Sequence, residues 1–201
     1  MRRFVIALMG LAASQAWAQG VCSVAALAGE VRSGARLLAL GDVLDAGAEI
    51  RTGDKSRVRL RCVDGSSLVL GDQSTLRLTR FTPASAGQPR AVSLWLELGV
   101  IGQKVSPGGS WEVRTPSAVT AVRGTEFVVE VSQEQGTAVH VGQGQVAVES
   151  TVKTRSLTPR PPTQLNTQSD GTQCSPTGGC TAASTWSPER VQALEDRLAG
   201  V

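Results

Sequence analysis

The chain predicts an all-β fold, and three features of its patterning carry the prediction. Between Gly29 and Glu149 the apolar residues fall at every second position in short runs, the period of a strand with one buried face. Gly, Asp, Ser or Pro separates one run from the next, as turns require. No segment of this stretch carries the apolar stripe of an amphipathic helix. About ten to twelve short strands follow from this, arranged as a sandwich, a barrel-like domain or an irregular β-solenoid. Aromatic residues make up 3% of the chain and tyrosine is absent, so the core must rest on Val, Leu, Ile and Ala. Each such side chain larger than alanine contributes about 1.5–3 kcal/mol when fully buried.

Ahead of the alternating region the chain reads as a leader. Met1-Arg2-Arg3 is basic, Phe4 to Ala13 is mostly apolar, and Ala16-Trp17-Ala18 places small residues at the −3 and −1 positions of a cleavage point. Residues 1–18 are therefore expected to be a secretory signal peptide cut after Ala18, leaving a periplasmic or secreted chain of 183 residues. Phe4 to Ala18 spans 15 residues, short of the ~20 that cross a bilayer. Cys22 does not mark a lipoprotein, since Gln19-Gly20-Val21 puts no small residue immediately before it. No other apolar stretch nears spanning length, so no transmembrane segment is expected in the mature chain. Cleavage also removes Arg2 and Arg3, so that 18 basic residues face 17 acidic ones and the net charge falls from +3 to +1. That balance argues against a nucleic-acid partner.

Within the domain, Arg57 to Cys62 alternates arginine with Val58, Leu60 and Cys62, and Leu68 and Leu70 continue the apolar face beyond Asp64-Gly65. A two-residue Asp-Gly turn would set Arg61 opposite Leu68 and bury a charge. A three-residue loop, Val63-Asp64-Gly65 with Gly65 left-handed, pairs Leu60 with Leu68 and Val58 with Leu70 instead, and it is the one expected. Leu76 and Leu78 repeat the pattern, followed by Val92, Leu94, Leu96 and Leu98, then Val139 and Val141, then Val146 and Val148. Arg57, Arg59 and Arg61 form an outward stripe. It has two readings: a solvated face that discourages strand pairing, which is favoured, or a contact for an acidic partner, anionic glycan or lipid head group. Trp95 lies opposite the Val92–Leu98 face. It is expected to be covered by the C-terminal segment, with sugar stacking or protein contact as the other reading. His140, the one histidine, is expected to be solvated on the outward face of its strand.

The most informative block runs from Val113 to Phe127. Val113, Thr115, Pro116, Ala118, Val122, Arg123, Gly124, Thr125, Glu126 and Phe127 spell V-x-T-P-x-A-x-x-x-V-R-G-T-E-F without a break. This block resembles the signature of the FecR domain family, named for periplasmic regulators of ferric citrate transport. Gly41-Asp42, Ile50-Arg51-Thr52-Gly53, Asp64-Gly65-Ser66 and Gly144 to Val148 also fall where that family places such elements, so the resemblance covers about residues 28 to 150. Residues 19–150 are read as this β domain. Within the block, Gly124 is expected in a conformation closed to other residues, or at a close backbone approach. Arg123 and Glu126 are expected to meet paired charges at the edge of the core, with an offer of both charges to a partner as the rival reading.

After the domain, residues 151–185 are rich in Thr, Ser, Pro, Gln and Gly and read as a linker, with Pro159-Arg160-Pro161-Pro162 extended. Residues 186–201 read as a short amphipathic helix: Ser187 caps it, Pro188 opens it, and Val191, Leu194 and Leu198 share a face. So short a helix is marginal alone and needs a surface, its own domain or a partner's. Cys174 and Cys180 are close enough to pair locally, which leaves Cys22 for Cys62; the two other connectivities remain open.

The chemistry available is sparse. No Gly-x-Ser-x-Gly turn or helix-opening glycine loop occurs, and any Ser-His-Asp triad would have to use His140. No catalytic residue, cofactor site or metal site is expected. The resemblance implies a non-enzymatic, exported module that recognises another envelope protein, with a peptidoglycan- or glycan-binding scaffold as the alternative. Only 28 residues precede the domain, so direct contact with a cytoplasmic sigma factor is not carried over.

Overall fold

The computed structural model describes residues 20–152, 161–166, 168 and 170–201; the expected signal peptide lies outside them. Through the alternating region run β1 (Cys22–Ala28), β2 (Val31–Ser33), β3 (Arg36–Leu37), β4 (Val43–Leu44), β5 (Glu49–Thr52), β6 (Arg57–Cys62) and β7 (Ser67–Leu70). β8 (Thr75–Thr82), β9 (Ala91–Lys104), β10 (Ser110–Arg114), β11 (Ala118–Val122), β12 (Glu126–Ser132), β13 (Gly136–Gln143) and β14 (Val146–Ser150) complete it. β15 (Thr163–Leu165), β16 (Asp170–Ser175), β17 (Gly179–Cys180) and β18 (Ser184–Thr185) follow, and the helix α1 (Pro188–Leu198) comes last.

These strands form two sheets that share β9. The first runs β4-β1-β6-β7-β9-β12-β13-β16, with β17 and β18 on the far edge of β16. The second runs β3-β2-β5-β8-β9-β10-β11-β14-β15, and its β9–β10 pair is parallel. β9 passes from the second sheet to the first at Gly99, where φ is +93° and a Cβ would lie 2.5 Å from Ser74 Cα. A side chain there would be strained and blocked at once. Of the three architectures open to the sequence, the structure is the two-sheet one, not closed into a barrel. Alternation decides its core: Val58, Leu60, Leu68, Leu70, Leu94, Leu96, Phe127, Val129, Val139 and Val146 point into one apolar cluster between the sheets.

The register around Asp64-Gly65 follows the parity argument. Val58 pairs with Leu70 and Leu60 with Leu68, and Gly65 has φ +83°. The segment 151–185 requires a correction, because it is not simply a linker. Within it β15 extends the second sheet and β16 extends the first. These edge strands draw on backbone pairing and bury few side chains, among them Leu165, Thr172 and Cys174. A polar, Thr- and Gln-rich sequence can supply that without apolar alternation, which is why the period was silent. Pro159 and Arg160 of the expected extended run lie outside the described residues.

Candidate functional site

The Val113–Phe127 block divides into a locked part and a displayed part. Val113, Ala118, Val122 and Phe127 are buried in the core. Thr115, Ser117 and Thr137 form a buried hydroxyl chain, with Thr137 Oγ1 2.7 Å from both Thr115 Oγ1 and Ser117 Oγ. Ser117 donates onward to the Cys174 carbonyl at 3.1 Å, and the Ala118 amide donates to Thr115 Oγ1 at 2.9 Å. With Ser117 donating to Cys174, Thr137 donates to Ser117, and the one Thr115 proton is shared between Thr137 Oγ1 and the Ala118 carbonyl at 3.1 Å. The Thr-Pro-Ser-Ala turn is thereby tied to β13 and β16.

At the other end of the block the chain crosses from the second sheet to the first through Arg123, Gly124 and Thr125. Gly124 has φ +63°, and a Cβ on it would sit 3.3 Å from Pro107 Cα, so both reasons expected for a glycine apply together. Thr125 is buried, and its carbonyl accepts from the Val105 amide at 2.9 Å. Of the two charges expected to meet paired charges, Glu126 does so only loosely and Arg123 does not. The turn points Arg123 into solvent, where it makes no hydrogen bond or ion pair among the described residues. Glu126 sits 3.9 Å from Lys104, its register partner on β9, with both side chains more than half exposed.

Glu126 also borders a cleft of about 370 Å³ between the first sheet and α1. The helix begins where the sequence indicated, with Ser187 as N-cap, Pro188 in the first turn and Glu189 near the positive end of the dipole. It docks on its own domain. Trp186 and Leu194 pack with Val100 and Ala138 in a second apolar cluster, joined by Val128, Val191 and Leu198. Two glycines admit it, since a Cβ on Gly171 would lie 2.2 Å from the Trp186 ring and one on Gly102 would lie 2.8 Å from Leu198.

This docking corrects two readings. His140 does point to the outer face, but that face is covered, so His140 is 6% exposed and stacks on Trp186 with ring centroids 5.4 Å apart. Arg190 lies over the same indole at 3.4 Å. Burial pushes the His140 imidazole below its ordinary value; Glu195 and Asp170 oppose that and Arg190 adds to it. The arginine stripe, too, is more than a solvated face. Arg57 donates to the Arg197 and Asp196 carbonyls at 2.8 and 3.1 Å, and Arg59 donates to the Val201 carbonyl, which places cations at the negative end of the helix. Arg61 remains exposed. The sequence could not show this use, because the carbonyls lie some 140 positions away.

Trp95 is not covered by the C-terminal segment. It stays 36% exposed on the outer face of the second sheet, because α1 selects the first. The cysteines pair as Cys22–Cys62 and Cys174–Cys180, both directly cross-strand. Among the described residues no helix is long and apolar enough to cross a membrane.

Comparison with known proteins gives a consistent answer. Residues 48–147 match the family described as FecR protein. No curated protein sequence matches the chain. Two crystal structures of a candidate anti-sigma factor from Parabacteroides distasonis ATCC 8503 are similar in fold, each at 22% identity. Their TM-scores are 0.55 and 0.57; each alignment covers 72% of this chain and 63% or 62% of the other. The chain thus spans less than two thirds of those proteins. With its Val113–Phe127 block locked at one end and displayed at the other, the stretch 48–147 is a FecR-family domain.

Proposed function

We propose that this chain is an exported, non-enzymatic module of envelope signalling that binds another envelope protein through the turn Arg123–Glu126. One observation carries the reading: in a block whose Val113, Thr115, Ala118, Val122, Thr125 and Phe127 are buried, Arg123 is exposed without a partner among the described residues. An arginine on a turn fixed by Gly124 and Thr125 is a planar, preorganised donor for a carboxylate. Two disulfides suit an oxidising, extracytoplasmic compartment. The single histidine stacks beneath an indole, a structural position rather than that of an acid–base group. Control of a sigma factor, suggested by the name of the similar structures, would need more than this domain supplies.

A photo-crosslinking residue at position 123, compared with one at position 61, tests the proposal in envelope-bearing cells. A defined protein adduct is expected from 123 and not from 61. Arg123→Ala should melt within about 0.5 kcal/mol of the parent and lose that partner, whereas Gly124→Val should lower the melting temperature. An Arg123→Ala chain that keeps full partner binding would refute the site. Retention on purified peptidoglycan, without any protein adduct, would favour a scaffold role instead.

A further inference from the structure

The outer face of the second sheet carries a row that α1 does not cover and that meets the family block only at Arg114. Hydrogen-bond register sets Glu49 of β5, Arg77 of β8, Trp95 of β9 and Arg114 of β10 side by side across four neighbouring strands. The two arginines flank the indole at one strand spacing on either side, so the Arg-Trp-Arg unit spans roughly 10 Å. Each is ion-paired with a carboxylate: Arg77 donates to Glu49 at 2.6 Å, and Arg114 lies against Glu112. Both arginine side chains nevertheless keep more than half their surface in solvent. Beyond Arg114 the row continues into Val119. Trp95, 36% exposed, therefore lies between two ion pairs.

Three ligand classes are separated by this arrangement. Nucleic acid draws its affinity from unneutralised cations that displace counterions, and here each arginine beside the ring is already paired. A protein interface enriches aromatic residues and arginine but depletes glutamate at its centre. Here each arginine beside the ring is ion-paired with a glutamate, Glu49 or Glu112. A sugar fits both features. The apolar C–H face of a pyranose stacks on an indole, and each hydroxyl both donates and accepts, so it can bridge a guanidinium and a carboxylate held together. A row crossing four neighbouring strands suits an extended strand rather than a branched or globular ligand.

We infer that the Glu49–Arg77–Trp95–Arg114 row is a platform for a neutral polysaccharide strand of pyranose rings with equatorial substituents. It is separate from the protein contact proposed at Arg123 and stands or falls without it. The test is calorimetric titration of the disulfide-bonded mature chain with cellohexaose and with chitohexaose, with dextran sulfate as the anionic arm. Binding of at least one neutral hexasaccharide is expected, changed less than about twofold between roughly 0.1 and 0.5 M sodium chloride. Trp95→Ala should weaken it roughly tenfold or more, while Trp95→Tyr, which retains a stacking ring, keeps most of it. Arg123→Ala should leave it unchanged. Because Trp95 and the arginines are exposed, all three variants should melt close to the parent, which separates loss of binding from loss of fold. Failure of both neutral hexasaccharides to bind, equal binding by Trp95→Ala, or binding of dextran sulfate alone would overturn the inference. So would a protein adduct formed through a crosslinker at position 95.

Discussion

Replacing Trp186 with alanine should release α1 while leaving the β core folded. Trp186 is 7% exposed, fills the space above Gly171, and lies between the His140 ring and the Arg190 guanidinium. Truncating a buried tryptophan removes about 3–5 kcal/mol, a figure that includes ring stacking worth roughly 0.5–1.5 kcal/mol. What remains is the burial of Leu194 beside Val191 and Leu198, the Arg57 and Arg59 bonds to the C-terminal carbonyls, and partly exposed ion pairs. Eleven residues do not sustain a helix alone. The tethers from Arg197 to Asp72 and Glu130 are each about one third exposed, and pairs of that kind contribute about 0–1 kcal/mol. The cluster between the sheets contains neither Trp186 nor Leu194, so its cooperativity is not at stake. Hydrogen exchange read by mass spectrometry should therefore show residues 188–198 unprotected in Trp186→Ala, with β6, β9 and β12 protected as in the parent. Retention of parental protection across 188–198 would refute the argument that this one ring anchors the helix. Collapse of protection throughout would refute the separation of the two clusters.

Two further outcomes are expected. Replacing Cys22 and Cys62 by alanine together should cost about 4 kcal/mol on the chain-entropy estimate for a 40-residue separation, read as a shift in denaturation midpoint; an unchanged midpoint would place the constraint elsewhere. Docking of α1 should also depend on pH through His140, whose folded value is lowered, so that the undocked form binds more protons. Its contribution is complete above the unfolded value near about 6.5 and is lost as pH falls from there through the lowered folded value. Exchange in 188–198 should rise over that window and His140→Gln should flatten the rise; a flat parental profile would refute it.

The β architecture was legible because alternation is local. The parity of Leu60 and Leu68 about Asp64-Gly65 decided a loop length, and the structure has that loop. What the loop does was not legible. Asp64 accepts from Arg90 at 2.6 Å, and the pair is buried with the guanidinium 5.4 Å from the Trp111 ring centroid. An aspartate in a turn looks the same whether it faces water or a cation from another strand. The outward faces show the same limit. Period assigned His140, the Arg57–Arg61 stripe and Trp95 to outer surfaces correctly, but it says nothing about which outer surface receives α1. Gly102 and Gly171, lying within strands, carried that signal: a glycine there marks a close approach. The block had a comparable ambiguity. An arginine and a glutamate flanking a glycine in an apolar stretch read as charges satisfied within the fold, yet the turn at Gly124, φ +63°, leaves Arg123 exposed.

That turn bears on what Arg123 can do. A side chain displayed on a loose loop must be ordered by its partner, at a cost of about 0.5–1.5 kcal/mol for each rotamer-rich group plus that of the backbone. Here the backbone is already ordered from three directions. The Thr115–Thr137–Ser117 hydroxyls hold the start of the block to β13 and β16, Pro107 closes over Gly124, and the Thr125 carbonyl accepts from Val105. Only the Arg123 side chain is left to be fixed by a ligand. Under the contact proposed at Arg123, the buried positions of the block serve the exposed one, by setting where its guanidinium leaves the surface relative to both sheets. Loosening the hydroxyl chain would reach Arg123 through the turn, raising the ordering cost of binding without removing any atom from the contact.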